Sequence, residues 1–393
     1  MTADPSELET LSMARIYDET HDLFRTSFRA FINAEMVPRF TEWEKAGITD
    51  RQVYADAAAH GFIGFNLPEA YGGGGSDDFR FNAVIDEEFA YAGLGGAGNG
   101  ISLVNDIVGP YFAEYCNQDQ AARWLPGMAA GELIVAVAMT EPGTGSDLAG
   151  IRATAIADGD EYIVNGAKTF ITNGINSDLV VVVCRTDPDA GRNGISLLVV
   201  ERGMLGFERG RNLDKIGQKS ADTAELFFSD VRVPKANLLG DEGKGMDYLS
   251  FNLAQERLSL GVTGIAVAEA ALDWTVEYVK ERTAFGQPIA SFQNTKFVLA
   301  EIETELAVSR PFIDDCVMKH NAGELTAAGA AKAKLWGSEL QNTVTDRCLQ
   351  LFGGYGFMTE YPISVAYADA RVATIYGGTS EIMKTIISKE VLG

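Results

Sequence analysis

Read from end to end, the hydrophobic period of this sequence switches twice, from helical to strand-like near residue 134 and back to helical near residue 245. Strands gathered in one block cannot alternate with helices, so a doubly wound nucleotide-binding sheet is excluded. In the first block Phe24, Phe28 and Phe31 fall on one helical face, and Tyr54 to His60 is alanine-rich. From Ile134 to Val233 short β-branched runs are split by Asp158-Gly159-Asp160, Asn165-Gly166 and Arg192-Asn193-Gly194, which predict turns in an antiparallel, all-β unit. After the connector Gly240 to Gly245, helical periodicity returns over roughly 246–282, 291–320, 325–352 and 361–390. The expected fold class is α+β multidomain: an N-terminal helical domain over 1–133, a middle antiparallel β domain over 134–244 and a C-terminal helical bundle over 245–393.

A length of 393 residues exceeds what one core supports, in line with several domains. The 55 acidic and 32 basic side chains give a net charge of −23, which argues against nucleic acid or an anionic membrane as partner. The strongly apolar run Leu179 to Cys184 is far shorter than the ~20 residues of a membrane helix and reads as a buried strand, so no integral membrane association is expected. Acidic Asp4, Glu7 and Glu9 argue against a signal or transit peptide, and a cytoplasmic location is expected. The cysteines at 116, 184, 316 and 348 and the histidines His21, His60 and His320 lack metal-ligand spacing; reduced thiols and no metal site are expected.

Gly93-Leu94-Gly95-Gly96-Ala97-Gly98 matches G-x-G-x-x-G, but it follows a helical-looking segment rather than a strand. It reads better as a flexible helix–helix connection lining a roomy pocket. Glu256 heads a helical stripe of Leu260, Thr263, Val267, Ala270 and Trp274, while Leu258, Val262, Ile265, Leu272, Val276 and Val279 make the opposite face apolar too. A carboxylate at the end of such a wall is desolvated and becomes a better base near neutral pH. The plainer reading is that Glu256 and Arg257 are an ordinary charged pair in a first helical turn.

Other segments carry two readings each. The run Met139 to Asp147 offers backbone N–H groups and hydroxyls to a polar ligand, as any Gly-rich hairpin would. Phe170 and Thr172 share a strand face, suited to stacking on a flat ligand or to core packing. Arg282, at the end of the Glu256 helix, suits a phosphate or a helix C-cap. The double glycine Gly353-Gly354 admits a ligand or simply stops a helix.

Together, Met139 to Ser146, Gln255-Glu256-Arg257-Leu258 and Ile375 to Glu381 resemble the acyl-CoA dehydrogenase family over essentially the whole sequence. Lys219 to Phe228 and Tyr376 to Thr379 are similar to its long-chain branch. The family carries its catalytic base at one of two places, matching Gly377 and Glu256 here, so only Glu256 is occupied. The resemblance implies a β-barrel-like middle domain and a four-helix bundle. It also implies FAD touched by Met139, Thr140, Ser146, Phe170, Ile171 and Thr172, with Thr379, Ser380 and Glu381 near its ribose and phosphates. Arg282, Phe285, Gln293, Gln350, Leu351, Gly353 and Gly354 would reach the flavin of a partner subunit, which implies a homotetramer. Substrate contacts are implied at Ser146, Arg257, Tyr376, Gly377 and Gly378.

The implied reaction is α,β-dehydrogenation of a fatty acyl-CoA to trans-2-enoyl-CoA, as in fatty acid β-oxidation. Glu256 takes the Cα proton, the flavin takes the hydride, and electrons pass to an electron-transferring flavoprotein. The Gly377 N–H and a flavin ribose hydroxyl would hold the thioester oxygen. Phe170 departs from the tryptophan of many relatives, and the glycines at 93–100 suggest a wide acyl cavity. Two alternatives stand beside this reading: a non-catalytic flavin or acyl-CoA binding subunit of a hetero-oligomer, motivated by the missing carboxylate at Gly377, and a flavin oxidase or monooxygenase.

Overall fold

The computed structural model describes residues 16–393; the acidic Asp4, Glu7 and Glu9 lie outside the described residues. The first block folds into the helices Glu19–Phe31 (α1), Phe40–Ala46 (α2), Gln52–Ala59 (α3), Arg80–Tyr91 (α4), Gly95–Ser102 (α5), Gly109–Tyr115 (α6) and Gln118–Ala129 (α7). Asp18 caps α1 by accepting from the N–H groups of Thr20 and His21. The phenylalanine stripe of α1 forms the core as its spacing predicts: Phe28 and Phe31 are buried, and Phe24 meets Phe62 and Phe81 edge-on at 5.4 and 5.1 Å.

The second block contains Val135–Ala138 (β1), Thr154–Asp158 (β2), Glu161–Thr172 (β3), Leu179–Arg185 (β4), Ile195–Glu201 (β5), Phe207–Asn212 (β6), Thr223–Pro234 (β7) and Leu238–Leu239 (β8). They form one sheet in the order β6-β7-β3-β2-β4-β5-β8, with β1 beside β4. Most pairs are antiparallel, but β1 runs parallel to β4, from Val135 opposite Leu179 to Ala138 opposite Val182. The long connection between these two strands through β2 and β3 allows the parallel pairing, which strand patterning alone does not reveal. Asp158-Gly159-Asp160 is a tight hairpin turn as expected, and residues 191–194 turn between β4 and β5. Asn165-Gly166 is not a turn. It is a bulge inside β3, where Gly166 has φ +148° and a Cβ would lie 2.9 Å from the Cα of Ala153. Close backbone approach, rather than chain reversal, requires the glycine.

The last block contains Gly245–Glu281 (α8), a small hairpin of Thr283–Ala284 (β9) and Gln287–Pro288 (β10), then Gln293–Asn321 (α9), Ala327–Phe352 (α10), Pro362–Ala370 (α11) and Ser380–Leu392 (α12). The expected continuous helix over 361–390 is broken between α11 and α12. Gly377 and Gly378 there take φ of +61° and +97°, a left-handed turn no helix can continue through. α8 and α10 pack through glycines: Gly261 abuts Ala333, and a Cβ on Gly264 would come within 2.6 Å of Gly337 backbone. Ion pairs of buried and partly buried side chains bind the first block to the last. Glu87 on α4 accepts from Arg25 of α1 at 2.6 Å and from Arg310 of α9 at 2.8 Å, and Arg310 also donates to Glu269 of α8 at 2.8 Å.

Candidate active site

The broken helix creates the site. A Cβ on Gly377 would lie 3.5 Å from Glu256 Oε1 and would collide with Leu260 Cδ1, so the turn fits against α8 only with glycine. Two cations hold the turn's carbonyls. Lys334, fully buried on α10, donates from Nζ to the Gly378 carbonyl at 2.7 Å, and buried Arg257 approaches the Gly377 carbonyl with Nε at 3.5 Å. Among the described residues no acceptor is paired with the Gly377 N–H.

Glu256 is half-buried, and the surrounding protein strips much of its hydration. That desolvation raises its carboxyl to about 7, against the opposing pull of Arg257 and Lys334. Burial lowers the Lys334 ammonium to about 8, helped by the Arg257 charge and opposed by Glu256. Arg257 and Glu256 share no hydrogen bond among the described residues, as their divergent directions on one helix require.

A cavity continues from this turn along α8, walled by Leu260, Thr263, Val267 and Trp274 of the Glu256 stripe. The opposite stripe of Leu258, Val262, Ile265 and Leu272 is core. Gly93, Gly95 and Gly98 also line the cavity, but residues 95–102 form helix α5 rather than a flexible connection. Two glycines let α5 seat closely: a Cβ on Gly98 would collide with the Phe89 ring, and one on Gly96 would lie 2.6 Å from Ser220 Oγ. Beside the cavity Ser259 donates to Asp86 or Asp106, with oxygen distances of 2.8 and 2.6 Å, and Asn82 donates to Asp106 at 2.6 Å. Burial raises both carboxyls, Asp106 to about 6, and the Asp106 charge raises Asp86 further.

On the sheet, the run from Met139 is tied to β3 by a buried pair. Lys168 Nζ donates to the Met139 carbonyl and to Glu141 Oε1, both at 2.9 Å; Glu141 also accepts from the N–H groups of Arg152 and Ala153. Just beyond, Phe170 adopts φ +60° in a bulge and is 67% exposed, which rules out core packing for it. The strand therefore departs from the regular alternation expected of Phe170 and Thr172: Ile171 is buried and Thr172 only partly so. A non-glycine residue held at positive φ is strain of the kind that collects at ligand sites.

Three family models match in sequence order: acyl-CoA dehydrogenase N-terminal domain over 18–132, middle domain over 136–231 and C-terminal domain over 243–392. The chain belongs to the acyl-CoA dehydrogenase family. It is 47% identical over 388 residues to the mitochondrial long-chain specific acyl-CoA dehydrogenase of Sus scrofa, covering 98% of this chain and 90% of that protein. The crystal structure of an acyl-CoA dehydrogenase from Geobacillus kaustophilus superposes with a TM-score of 0.93 at 48% identity, covering 96% of this chain and 99% of that one. An acyl-CoA dehydrogenase of Bacillus anthracis, solved in complex with FAD, superposes at 0.89 with 30% identity, covering 96% of this chain and 67% of that one.

This acyl-CoA dehydrogenase presents groups that fit FAD. Ser380 Oγ is buried without a hydrogen-bond partner among the described residues, at the N-terminus of α12 behind the capping Thr379; such a place suits a ribose hydroxyl or a phosphate. Exposed Phe170 offers a face to a flat ring, and Ser146 and Glu381 are exposed. Away from the Glu256 turn, Arg282, Gln350, Leu351, Gly353 and Gly354 line one groove. Arg282 is the C-cap of α8 through its backbone N–H, which donates to the Tyr278 carbonyl at 2.9 Å, while its guanidinium lies over the Tyr355 ring at 5.5 Å and forms no hydrogen bond to the helix end among the described residues. Phe285, 96% exposed, and Gln293, also exposed, lie outside that groove's lining.

Sequence reasoning missed Lys334, the Lys168–Glu141 pair and the Asp86–Asp106–Ser259 cluster. Lys334 sits in the helical run Ala327 to Trp336, where nothing separates it from Lys332, whose ammonium pairs with Glu390 at the surface. The others join residues 27, 153 and 173 positions apart.

Proposed function

We propose that Glu256 is the base of this acyl-CoA dehydrogenase and removes a proton from Cα of an acyl-CoA thioester to give the trans-2-enoyl-CoA. The observation that carries the reading is the 3.5 Å between Glu256 Oε1 and the Cβ position of Gly377, the family's alternative base position. A carboxyl held near 7 by desolvation is matched to proton abstraction at neutral pH. FAD, when bound, would supply the acceptor for the hydride that leaves Cβ.

The remaining work falls to the protein. The Gly377 N–H donates to the thioester oxygen as negative charge grows there, and Lys334 and Arg257 fix the turn that aims it. Tyr376 and Gly378 shape the same turn. The walls of the α8 cavity order the acyl chain and keep water from Glu256. The Met139 to Ser146 run, Phe170 to Thr172 and Thr379 to Glu381 hold FAD, and the Arg282 groove with Phe285 and Gln293 serves a partner subunit's FAD in a homotetramer. Electrons leave to an electron-transferring flavoprotein, in fatty acid β-oxidation in the cytoplasm; no helix among the described residues is long and apolar enough to cross a membrane.

The binding-subunit alternative rested on the bare Gly377, and a carboxylate within reach of the same space favours catalysis instead. The test is anaerobic flavin reduction of the FAD-loaded protein against acyl-CoAs graded by size. Bleaching by at least one of them is expected; a flavin that stays oxidised with every thioester overturns the reading.

A further inference from the structure

The cavity beside Glu256 is not the plain apolar slot that suits an unsubstituted alkyl tail. Gln341 on α10 is 6% exposed, lines the cavity, and its amide forms no hydrogen bond among the described residues. The Tyr376 side chain and Asp369 line the same space, Asp369 accepting from the Gln218 N–H. The level of Gln341 follows from helix packing. Gly261 abuts Ala333 and Gly264 abuts Gly337, so α8 and α10 climb together and Gln341 stands level with Ala268, beside cavity-lining Val267. Twelve residues (268 − 256) beyond Glu256 is about 18 Å along a helix.

An amide at that depth decides between substrates. Methylene groups packed against it leave its donors and its acceptor unmatched, which disfavours an unsubstituted tail. A hydroxyl can both donate to it and accept from it, and a ketone can accept. A carboxylate is disfavoured, because it would be desolvated in a wall that holds no Lys or Arg among the described residues to compensate its charge.

We propose that Gln341 makes the site selective for acyl-CoA thioesters bearing a neutral hydroxyl or keto oxygen at its own depth along the acyl group, over unsubstituted acyl groups of equal length and over those ending in a carboxylate. The inference rests on the Glu256 reading, because that depth is counted from Glu256. Gln341 acts as a specificity-determining residue and takes no part in the proton transfer.

The experiment uses the FAD-loaded Glu256→Gln protein, which binds without turnover, and reads equilibrium binding from the perturbed flavin absorbance. The ligands are stearoyl-CoA and monohydroxystearoyl-CoAs with the hydroxyl moved along the acyl group. One hydroxyl position is expected to bind at least about tenfold more tightly than stearoyl-CoA, a difference of about 1.4 kcal/mol. Gln341→Leu should flatten the series. Gln341→Asn, which keeps the amide on a shorter stem, should retain a weaker maximum and serves where the leucine variant does not fold. A flat series in the protein with Gln341, or a maximum unchanged by both variants, overturns the proposal and assigns the amide to bound water. Failure of the Glu256 reading would look different: stearoyl-CoA would bleach the Glu256→Gln flavin whatever the hydroxyl series did.

Discussion

Glu256 Oε1 and the point where a Cβ on Gly377 would stand are 3.5 Å apart, although the residues are separated by 121 positions (377 − 256). Two distant sequence positions thus address one space. Moving the carboxylate from one to the other meets an obstacle, because Leu260 Cδ1 occupies the path and Gly377 holds φ +61°. Glu256→Gln with Gly377→Glu should therefore recover little activity. Adding Leu260→Ala should raise turnover of that double variant by about tenfold or more, equivalent to about 1.4 kcal/mol of barrier. Equal rates with and without Leu260→Ala would show that Leu260 is not the obstacle.

The Glu256 carboxyl, raised from an ordinary 4.5 to about 7, should govern two pH profiles. A base must be ionised, so kcat/KM should climb with pH and level off above about 7. Stability should move the other way. The folded protein holds the proton that the unfolded state has lost between 4.5 and about 7, so this residue's contribution falls as pH rises through that window and stays low above it. Glu256→Gln should accordingly gain in Tm relative to the parent as the pH goes from acid to neutral. A Tm difference independent of pH would contradict the buried-acid account.

Lys334 lowers the Glu256 carboxyl from its fully desolvated value. Lys334→Met should shift the rise of kcat/KM to higher pH and weaken the hold on the Gly378 carbonyl, lowering kcat more than it raises KM. Lys334→Arg should restore the position of the pH profile at least in part. A loss of rate with no movement of the profile would reduce Lys334 to a structural role.

Lys168→Met leaves buried Glu141 with its two backbone donors but no cation. Removing one partner of such a pair costs about 3 kcal/mol or more. The variant should show a depressed Tm and weakened FAD retention, measured as flavin released on gel filtration. Full retention would mean that the pair does not hold the Met139 run in place.

The period changes made the helix–sheet–helix order legible, because burial of one face repeats at 3.6 or 2 residues whatever the partner. The Glu256 stripe likewise predicted a wall, and Leu260, Thr263, Val267 and Trp274 line the cavity. Illegible features depended on contacts between distant segments. Asn165-Gly166 carries a hairpin signal, yet the approach of Ala153 makes it a bulge. Gly377-Gly378 stops a helix whose periodicity continues on both sides. Lys334, Lys168 and Gln341 are unremarkable in their own helices and strands; each gains meaning from a neighbour the topology supplies.

The central claim is that Glu256 removes the Cα proton, and stopped-flow anaerobic reduction of the FAD-loaded Glu256→Gln protein by a long-chain acyl-CoA tests it most directly. The account predicts that the variant keeps its flavin and still binds the thioester, while reduction slows at least about a hundredfold, the low end for a positioned base, or about 2.7 kcal/mol. Reduction at a near-parental rate would contradict it.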